Sequence, residues 1–122
     1  MVKRGQVYWA QLNPIVGHEQ AGHRPVLVLS EERYGATMKL ALVVPLTSRE
    51  KWPVPLQVDV GLVAGKRAWA LPGQIRTLSV ERLVQSKALD SVLPSAVEQC
   101  LDAMLQICGR RPKAPRKADN DG

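Results

Sequence analysis

Hydrophobic and polar residues alternate in short blocks along most of this chain, which is the pattern of a small β-rich protein. Apolar side chains recur at alternate positions of residues 6–12 and 54–60, as in strands with one buried face. Residues 25–30 and 39–46 are instead nearly continuous runs of Val, Leu and Ala, which predict strands buried on both faces. Two further strands are predicted over residues 66–72 and 84–89.

The C-terminal part of the chain changes from this pattern to a helical period. After Pro94, which suits a first helical turn, one apolar stripe is formed by Val97, Leu101, Met104, Leu105 and Cys108. Gly109 then stands where helices commonly end in a left-handed residue. A short helical turn is predicted within residues 78–83, where a serine supplies the N-cap. Together these elements predict a mainly β (α+β) fold, a strongly bent antiparallel sheet or partly open barrel with the C-terminal helix packed on it.

Length and composition indicate one globular domain. The chain has 122 residues, of which 45% are hydrophobic, enough for one core but not for two. No apolar run approaches the ~20 residues that span a bilayer, and the N-terminus lacks the apolar stretch of a signal peptide, so the cytoplasm is predicted. Cys100 and Cys108 are too far apart on one helix for a disulfide, and both are expected to be small buried apolar residues.

The basic charge is unevenly distributed. The net charge is +6, and five of the 17 Lys and Arg residues fall within residues 110–122, a Pro- and Lys-rich stretch. This composition predicts a folded domain over residues 1–109 and a disordered basic tail after it. Such a tail either adds non-specific attraction to nucleic acid or simply improves solubility, so the charge alone points only weakly to a polyanionic partner.

Several common site motifs are missing from the sequence. It has no GxGxxG or GxxxxGK[ST] phosphate loop, no GxSxG nucleophile motif and no HExxH zinc motif. With two histidines and scattered carboxylates, it offers no obvious metal-ligand spacing either. The common enzyme classes that depend on these motifs are therefore unsupported.

One polar segment combines an unusual set of chemical groups. The stretch "GHEQAGHRP", Gly17 to Pro25, packs an acid, an amide, two imidazoles and a guanidinium between two predicted strands. Arg24 directly precedes Pro25, which holds it extended at the mouth of a buried strand. A guanidinium there can bind a phosphate with two parallel hydrogen bonds, or serve as a surface salt-bridge partner.

Other candidates follow from position and residue type. Thr47 and Ser48 lie just past the end of a second buried strand, where a hydroxyl either donates to a phosphate oxygen or caps the next turn. Glu19 could orient the Arg24 guanidinium, accept a proton, or remain a solvated loop carboxylate. His18 and His23 are of a type that titrates near neutral pH and suits acid–base chemistry.

Three segments, in this order and spacing, resemble the MazF/PemK family of bacterial toxin–antitoxin toxins. They are "GQVYWAQLNPIVGHEQAGHRPVLVLS", "VVPLTS" and "GQIRTLSVERL", and the resemblance covers about residues 3–109. It implies an SH3-like barrel acting as a homodimer, and a sequence-specific endoribonuclease that needs no metal or other cofactor. Cleavage of single-stranded RNA would proceed by 2′-OH attack, leaving a 2′,3′-cyclic phosphate and a 5′-OH. The implied protein partner is a MazE-like antitoxin with an acidic C-terminal segment.

The resemblance also assigns roles to individual residues. The family's catalytic Arg and Thr fall on Arg24 and Thr47, its loop Glu falls on Glu19, and the His of PemK-like members falls on His18. Its RNA groove lies at the dimer interface and includes the "SREKWP" stretch, in which Trp52 is either a base-stacking residue or a loop anchor. The substrate-binding residues implied in this way are Gln20, His23, Ser48, Arg49, Lys51, Trp52, Gln74 and Arg76.

The sequence departs from the family pattern at one position. Where PemK-like members carry an Asp proposed to act with the His, this chain has Gly73, so His18 lacks that partner. Two other readings remain open beside an active ribonuclease. One is a family member that binds RNA or an antitoxin without cutting, and the other is a gyrase inhibitor like CcdB, which resembles this family in fold.

Overall fold

Seven strands and three helices account for most of the part of the chain that the structure describes. A computed structural model describes residues 2–12, 17, 22–84 and 87–111. In chain order the elements are β1 (Gln6–Gln11), β2 (His23–Val28), α1 (Glu32–Met38), β3 (Leu40–Thr47), β4 (Val58–Val63), β5 (Lys66–Ala70), a 3₁₀ turn (Pro72–Gln74), β6 (Arg76–Ser79), α2 (Val80–Leu83), β7 (Asp90–Ser91) and α3 (Pro94–Ile107).

Strand β3 is the hub of the sheet. The strands are hydrogen-bonded in the order β4-β5-β3-β2-β1-β7, all antiparallel, and β6 pairs with the first half of β3. The middle of β3 pairs with β2, with Val26 opposite Pro45, and its end pairs with β5, with Thr47 opposite Trp69. Because β3 changes partners along its length, the sheet bends into a nearly closed barrel. The predicted bent antiparallel sheet with a C-terminal helix is confirmed.

Two apolar clusters fill the two faces of this sheet. Leu27 belongs to the cluster under α3, whereas its neighbours Val26 and Val28 belong to the cluster on the other face. Val43 and Val44 divide between the two clusters in the same way. Such double burial explains why the sequences of β2 and β3 are continuous apolar runs, as predicted. It also gives both strands rigid ends, which matters for the site described below.

Helix α3 begins at Pro94 as predicted, and Gly109 (φ +97°) follows its end in the left-handed conformation. The buried face is set by Ala96, Val97, Cys100 and Ala103. The predicted apolar stripe is therefore wrong at its C-terminal end, where Leu105 and Cys108 are exposed, because small residues rotate the contact face. Within the described ranges, no helix is both long and apolar enough to cross a membrane.

The two cysteines consequently have different environments. Cys100 is fully buried, and burial raises the pKa of its thiol to about 12, so the thiol stays protonated and inert. Cys108 lies at the exposed end of α3, which corrects the expectation that both cysteines are buried. Its place just after Ile107, where α3 ends, leaves the side chain beyond the packed face.

Three further sequence predictions differ from the structure. The strand predicted over residues 54–60 begins only at Val58, since a turn closed by the Leu56 N–H and the Pro53 carbonyl (2.9 Å) precedes it. No strand is formed by residues 84 and 87–89, and Asp90–Ser91 pairs with β1 instead. Helix α1 was not predicted. None of its residues is buried, so its sequence has no apolar stripe that would indicate a helix.

Candidate functional site

The ends of β2 and β3 bring Arg24 and Thr47 to the same place. The antiparallel register that pairs Val26 with Pro45 would, two residues further on, set Arg24 directly opposite Thr47. At that point β3 has moved to β5, so the two strand ends diverge and a gap opens between them. Arg24 and Thr47 both line the cavities on either side of this gap. The two strand ends thus place Arg24 and Thr47 on the walls of the same two cavities.

Cavity A, of about 370 Å³, lies on the side of β1 and the β4–β5 hairpin. Its wall includes Trp9 and His23, whose rings stack with centroids 5.2 Å apart and an interplanar angle of 26°. Trp9 remains 40% exposed, so part of the indole is available as a platform beside the stacked imidazole. Lys66 and Arg67, at the start of β5, also line the cavity.

Cavity B, of about 770 Å³, lies on the side of the β3–β4 loop (residues 48–57). Its wall includes Arg49, Lys51 and Trp52, together with Gln74 from the 3₁₀ turn. Trp52 is 52% exposed, and the Lys51 ammonium lies 5.8 Å from the centroid of its indole ring, within cation–π range. About half of the Trp52 side chain is therefore open to solvent on the wall of cavity B.

The two cavities form one cationic groove, because Arg24, Thr47 and Ser48 line both. Among the described residues that line it, none is acidic. Arg67 contributes less than its formal charge, since it pairs with Asp59 outside the groove and lies over Trp69. Such a one-sided charge distribution attracts polyanions. Its cationic side chains are Arg24, Arg49, Lys51, Lys66 and Arg67.

The Thr47 hydroxyl is held by the main chain. Its Oγ1 accepts a hydrogen bond from the Arg49 N–H (3.3 Å), which is the turn-capping contact considered as an alternative role. A hydroxyl that accepts one bond still has its own proton to donate, and accepting a bond strengthens it as a donor. Capping the turn and donating into the groove are therefore compatible roles for Thr47.

The structure gathers most, but not all, of the sequence-predicted site residues. His18, Glu19 and Gln20 lie outside the described residues. Arg76 lies elsewhere: its guanidinium donates to the Leu12 carbonyl (2.7 Å) and holds the end of β1, a structural contact. The residues that line the groove as predicted are Arg24, Thr47, His23, Ser48, Arg49, Lys51, Trp52 and Gln74.

The glycine in place of the family Asp is closely packed. Gly73 lies in the 3₁₀ turn, and a Cβ atom added to it would come 3.4 Å from the Ile107 Cδ1 atom of α3. It lines a third cavity of about 330 Å³, whose apolar wall includes Trp52, Leu56 and Ile107. Among the described residues, a Cβ at position 73 would meet only the end of the Ile107 side chain, at ordinary contact distance, so packing does not explain why a carboxylate is missing here.

Three groove residues were missed by the sequence analysis. Trp9 lies on β1, which pairs with β2 and sets Trp9 opposite Pro25, whereas Lys66 and Arg67 lie on β5, far from Arg24 in sequence, and the barrel brings them into cavity A. The sequence feature that could have indicated Trp9 is a large aromatic side chain in a strand of alternating pattern, which the structure leaves partly exposed.

In the described ranges, no group of three His, Cys, Asp or Glu residues is arranged to hold a metal ion.

Asp90 supports one wall of cavity A from outside. Its carboxylate accepts hydrogen bonds from the N–H of Ala64 (2.8 Å) and of Ser91 (2.7 Å). Ala64 is in the turn of the β4–β5 hairpin, has a positive φ of 50° and lines the cavity. The bonds from Ala64 and then Ser91 lower the pKa of Asp90, because they stabilise the ionised carboxylate.

We expect Asp90→Asn to lower the melting temperature at neutral pH but not in acid. A carboxyl whose pKa is lowered in the folded state stabilises the fold above its unfolded pKa of about 3.9, and this contribution is lost as pH falls through the lower folded value. Thermal unfolding of both proteins between pH 7 and pH 2 measures the difference. A gap that stays constant across this range would contradict the assigned hydrogen bonds.

Comparison with known proteins places this geometry in a family context. Residues 3–107 match the family model described as "PemK-like, MazF-like toxin of type II toxin-antitoxin system". Endoribonuclease EndoA of Bacillus subtilis (strain 168) is 34% identical over 112 residues, which cover 88% of this chain and 97% of EndoA. The matched range contains both strand ends that carry Arg24 and Thr47.

Solved structures agree with the fold. MazF from Deinococcus radiodurans superposes with a TM-score of 0.76 at 27% identity, covering 89% of this chain and 97% of that protein. A mycobacterial endoribonuclease, solved in complex with its cognate antitoxin, gives a TM-score of 0.73 at 22% identity and covers 93% of this chain and all of its own. The second likeness concerns the fold alone.

Proposed function

Because this chain belongs to the PemK-like, MazF-like family of type II toxin–antitoxin toxins, we propose that it is an endoribonuclease toxin that cuts single-stranded RNA in its cationic groove. The observation that carries this proposal is the convergence of Arg24 and Thr47 at two strand ends, in the middle of that groove. A gyrase-inhibiting surface would have no use for this pair. EndoA, a 34% identical relative, is named for the same activity.

The chemistry requires little from the protein. RNA carries its own nucleophile, the 2′-OH, and its attack on the neighbouring phosphorus yields a 2′,3′-cyclic phosphate while the 5′-oxygen leaves. The protein must hold an in-line geometry and donate hydrogen bonds to the phosphorane as negative charge develops. The Arg24 guanidinium, with its forked donors, and the Thr47 hydroxyl supply such donors from two rigid elements.

Proton transfer needs a base for the 2′-OH and an acid for the 5′-oxygen. Glu19 and His18 are the proposed participants from the sequence before Arg24, with Glu19 either orienting Arg24 or acting as base. His23 is the candidate acid or base that the groove contains, because its ring lies in cavity A against Trp9. The scheme uses no metal ion and does not depend on a carboxylate at Gly73.

Incubation of the purified protein with a long mixed-sequence RNA in EDTA tests the proposal. Cuts at a few discrete sites, with fragments ending in a cyclic phosphate, are the expected result. RNA that stays intact but bound would indicate a family member that binds without cutting. Intact RNA together with stalled gyrase would instead favour the CcdB-like function, and either outcome contradicts the proposed activity.

Cavity B provides the surface for the RNA backbone and bases. Arg49 and Lys51 are exposed cations on its wall, suited to binding phosphates, and Trp52 offers a ring face on which a base can stack. We expect the double variant Arg49→Ala/Lys51→Ala to raise KM while leaving kcat within about threefold. The slope of log KM against log salt should fall by about 0.7 for each RNA phosphate that the variant no longer neutralises.

A matched control for this prediction is Arg33→Ala. Arg33 is an exposed cation on α1, which precedes the start of β3, whereas the groove lies at the end of that strand. The Arg33→Ala substitution changes the net charge of the protein but not the groove, so both KM and its salt slope should match those of the wild type. An equal effect of Arg33→Ala would show that total charge, rather than cavity B, governs binding.

The biological setting follows from the family. The proposed partner is a cognate antitoxin whose acidic segment would occupy the cationic groove and block RNA, because it offers the same charge as the RNA backbone. The proposed active form is a homodimer, with the groove at the subunit interface, and the proposed compartment is the cytoplasm, where messenger RNA is available. Size-exclusion chromatography with light scattering tests the dimer: a 13.4-kDa chain should elute as a particle of twice that mass.

A further inference from the structure

Gln57 has a side-chain amide that is buried beside cavity B of the groove. It is 3% exposed, and among the described residues it is the one polar side chain classed as buried. It comes directly before β4, in a segment whose sequence predicted a half-exposed strand. A buried amide costs free energy unless it is hydrogen-bonded, so its partners indicate why it is there.

The partners of Gln57 are three main-chain groups of the β3–β4 loop. Its Oε1 accepts from the N–H of Lys51 (2.8 Å) and of Trp52 (3.1 Å), and its Nε2 donates to the Arg49 carbonyl (3.1 Å). The Gln57 side chain thus binds backbone groups of the β3–β4 loop that are not paired in a regular strand ladder. All three residues that it holds line cavity B, as does Gln57 itself.

The same bonds connect Gln57 to Thr47. The Arg49 residue is held at both ends: its carbonyl accepts from Gln57, and its N–H donates to the Thr47 Oγ1 (3.3 Å). A shift of the Arg49 backbone would therefore move both the wall of cavity B and the hydrogen bond that orients the Thr47 hydroxyl. Thr47 itself lies in β3 and pairs with Trp69, so its backbone does not depend on this link.

We propose that Gln57 is a positioning residue that fixes the β3–β4 loop and thereby sets how tightly, and at which sequences, RNA is held in cavity B. This inference rests on the proposed ribonuclease function. Gln57 does not need to touch the reacting phosphate, because its effect is transmitted through the backbone of Arg49, Lys51 and Trp52. A wall held in one conformation can favour particular bases, whereas a mobile wall accepts many.

The test compares Gln57→Met with Val58→Ala. Methionine keeps the length of the side chain but removes all three hydrogen bonds. Val58 is the next residue, 1% exposed in the core under α3, so its truncation destabilises the barrel without altering the loop bonds. Each protein is assayed on an oligonucleotide carrying a cleaved motif and on a set with single-base changes in that motif. Hydrogen exchange of the Lys51 and Trp52 amides is measured in parallel.

For Gln57→Met we expect KM to rise about tenfold and the preference for the correct motif to fall about tenfold, with kcat falling less than in Thr47→Ala, because Thr47 keeps its place in β3 while its hydroxyl loses a fixed partner. The two loop amides should exchange faster. Val58→Ala should lower the melting temperature but leave KM, motif preference and exchange of those amides unchanged. If Gln57→Met does not fold, Gln57→Glu tests the link to Arg49 alone: an ionised carboxylate still accepts from the Lys51 and Trp52 N–H groups but repels the Arg49 carbonyl, so KM should rise while exchange of the two loop amides stays unchanged.

The results distinguish a failure of the Gln57 positioning role from a failure of the proposed ribonuclease function. Wild-type protein that cuts no RNA overturns the proposed ribonuclease function. Active wild type with unchanged KM and unchanged motif preference in the Gln57 variant overturns the positioning role alone. Equal losses of selectivity in Gln57→Met and Val58→Ala also overturn it, since they would show that general stability controls selectivity.

Discussion

Replacing Arg24 with alanine should lower kcat/KM for RNA cleavage by about 1,000-fold, near the upper end of the range for loss of one donor to a developing oxyanion. The guanidinium stands at the end of β2, in the part of the groove shared by both cavities, and no other described cation lines both. Most of the loss should appear in kcat, because the phosphorane carries more charge than the ground-state phosphate.

The charge-conserving variant Arg24→Lys separates geometry from charge. A lysine keeps the positive charge but loses the forked pair of donors, so its activity should lie between those of wild type and Arg24→Ala. Melting temperatures should stay within about 5 °C of the wild type in both variants, which rules out unfolding as the cause. Full activity in Arg24→Ala would remove this residue from catalysis.

Replacing Thr47 with alanine should lower kcat by about 100-fold, because the hydroxyl is one donor rather than a forked pair. Its Oγ1 is already placed by the Arg49 N–H, so the group that the variant removes is oriented and not merely nearby. Thr47→Ser keeps the hydroxyl and should retain most activity, whereas Thr47→Val keeps the shape and should resemble Thr47→Ala. Equal activity in Ser and Val variants would show that packing, not hydrogen bonding, is what the residue contributes.

The core of the fold follows from simple patterns in the sequence. Continuous apolar runs in β2 and β3 correctly predicted strands buried on both faces, because neighbouring residues such as Val26 and Leu27 face different clusters. Pro94 and Gly109 correctly marked the two ends of α3. Each of these signals is local or depends on a repeated spacing, so it is readable without the tertiary structure.

Features that do not follow the regular period of a strand or helix were not predictable in this way. Leu56 lies in an alternating apolar pattern like that of a strand, yet it is 49% exposed in a turn that lines the third cavity. Gln57 looked like the polar half of the same pattern, but three backbone groups of a preceding loop bury it. The small residues of α3 set its packing face, so Leu105 and Cys108 do not have the burial that their spacing predicted.

The candidate site was predictable only in part. The Arg24–Thr47 pairing came from the family resemblance, and the strand register gives it a physical basis. Arg49 and Trp52, which follow Thr47 in the sequence, were predicted to lie at the groove, and they line cavity B. Trp9 was not found although its strand pairs with β2 beside Arg24, and Lys66 was not found because nothing in its own segment indicates that β5 meets Arg24.

The central claim is that this protein cuts RNA with the RNA's own 2′-OH as nucleophile. The most direct measurement uses an oligoribonucleotide that the protein cleaves in EDTA, and a second one with a single 2′-deoxynucleotide on the 5′ side of the scissile phosphate. We predict rapid cleavage of the first and none of the second, which should still bind and inhibit competitively. Cleavage of the deoxy-substituted strand at the same bond would contradict the mechanism.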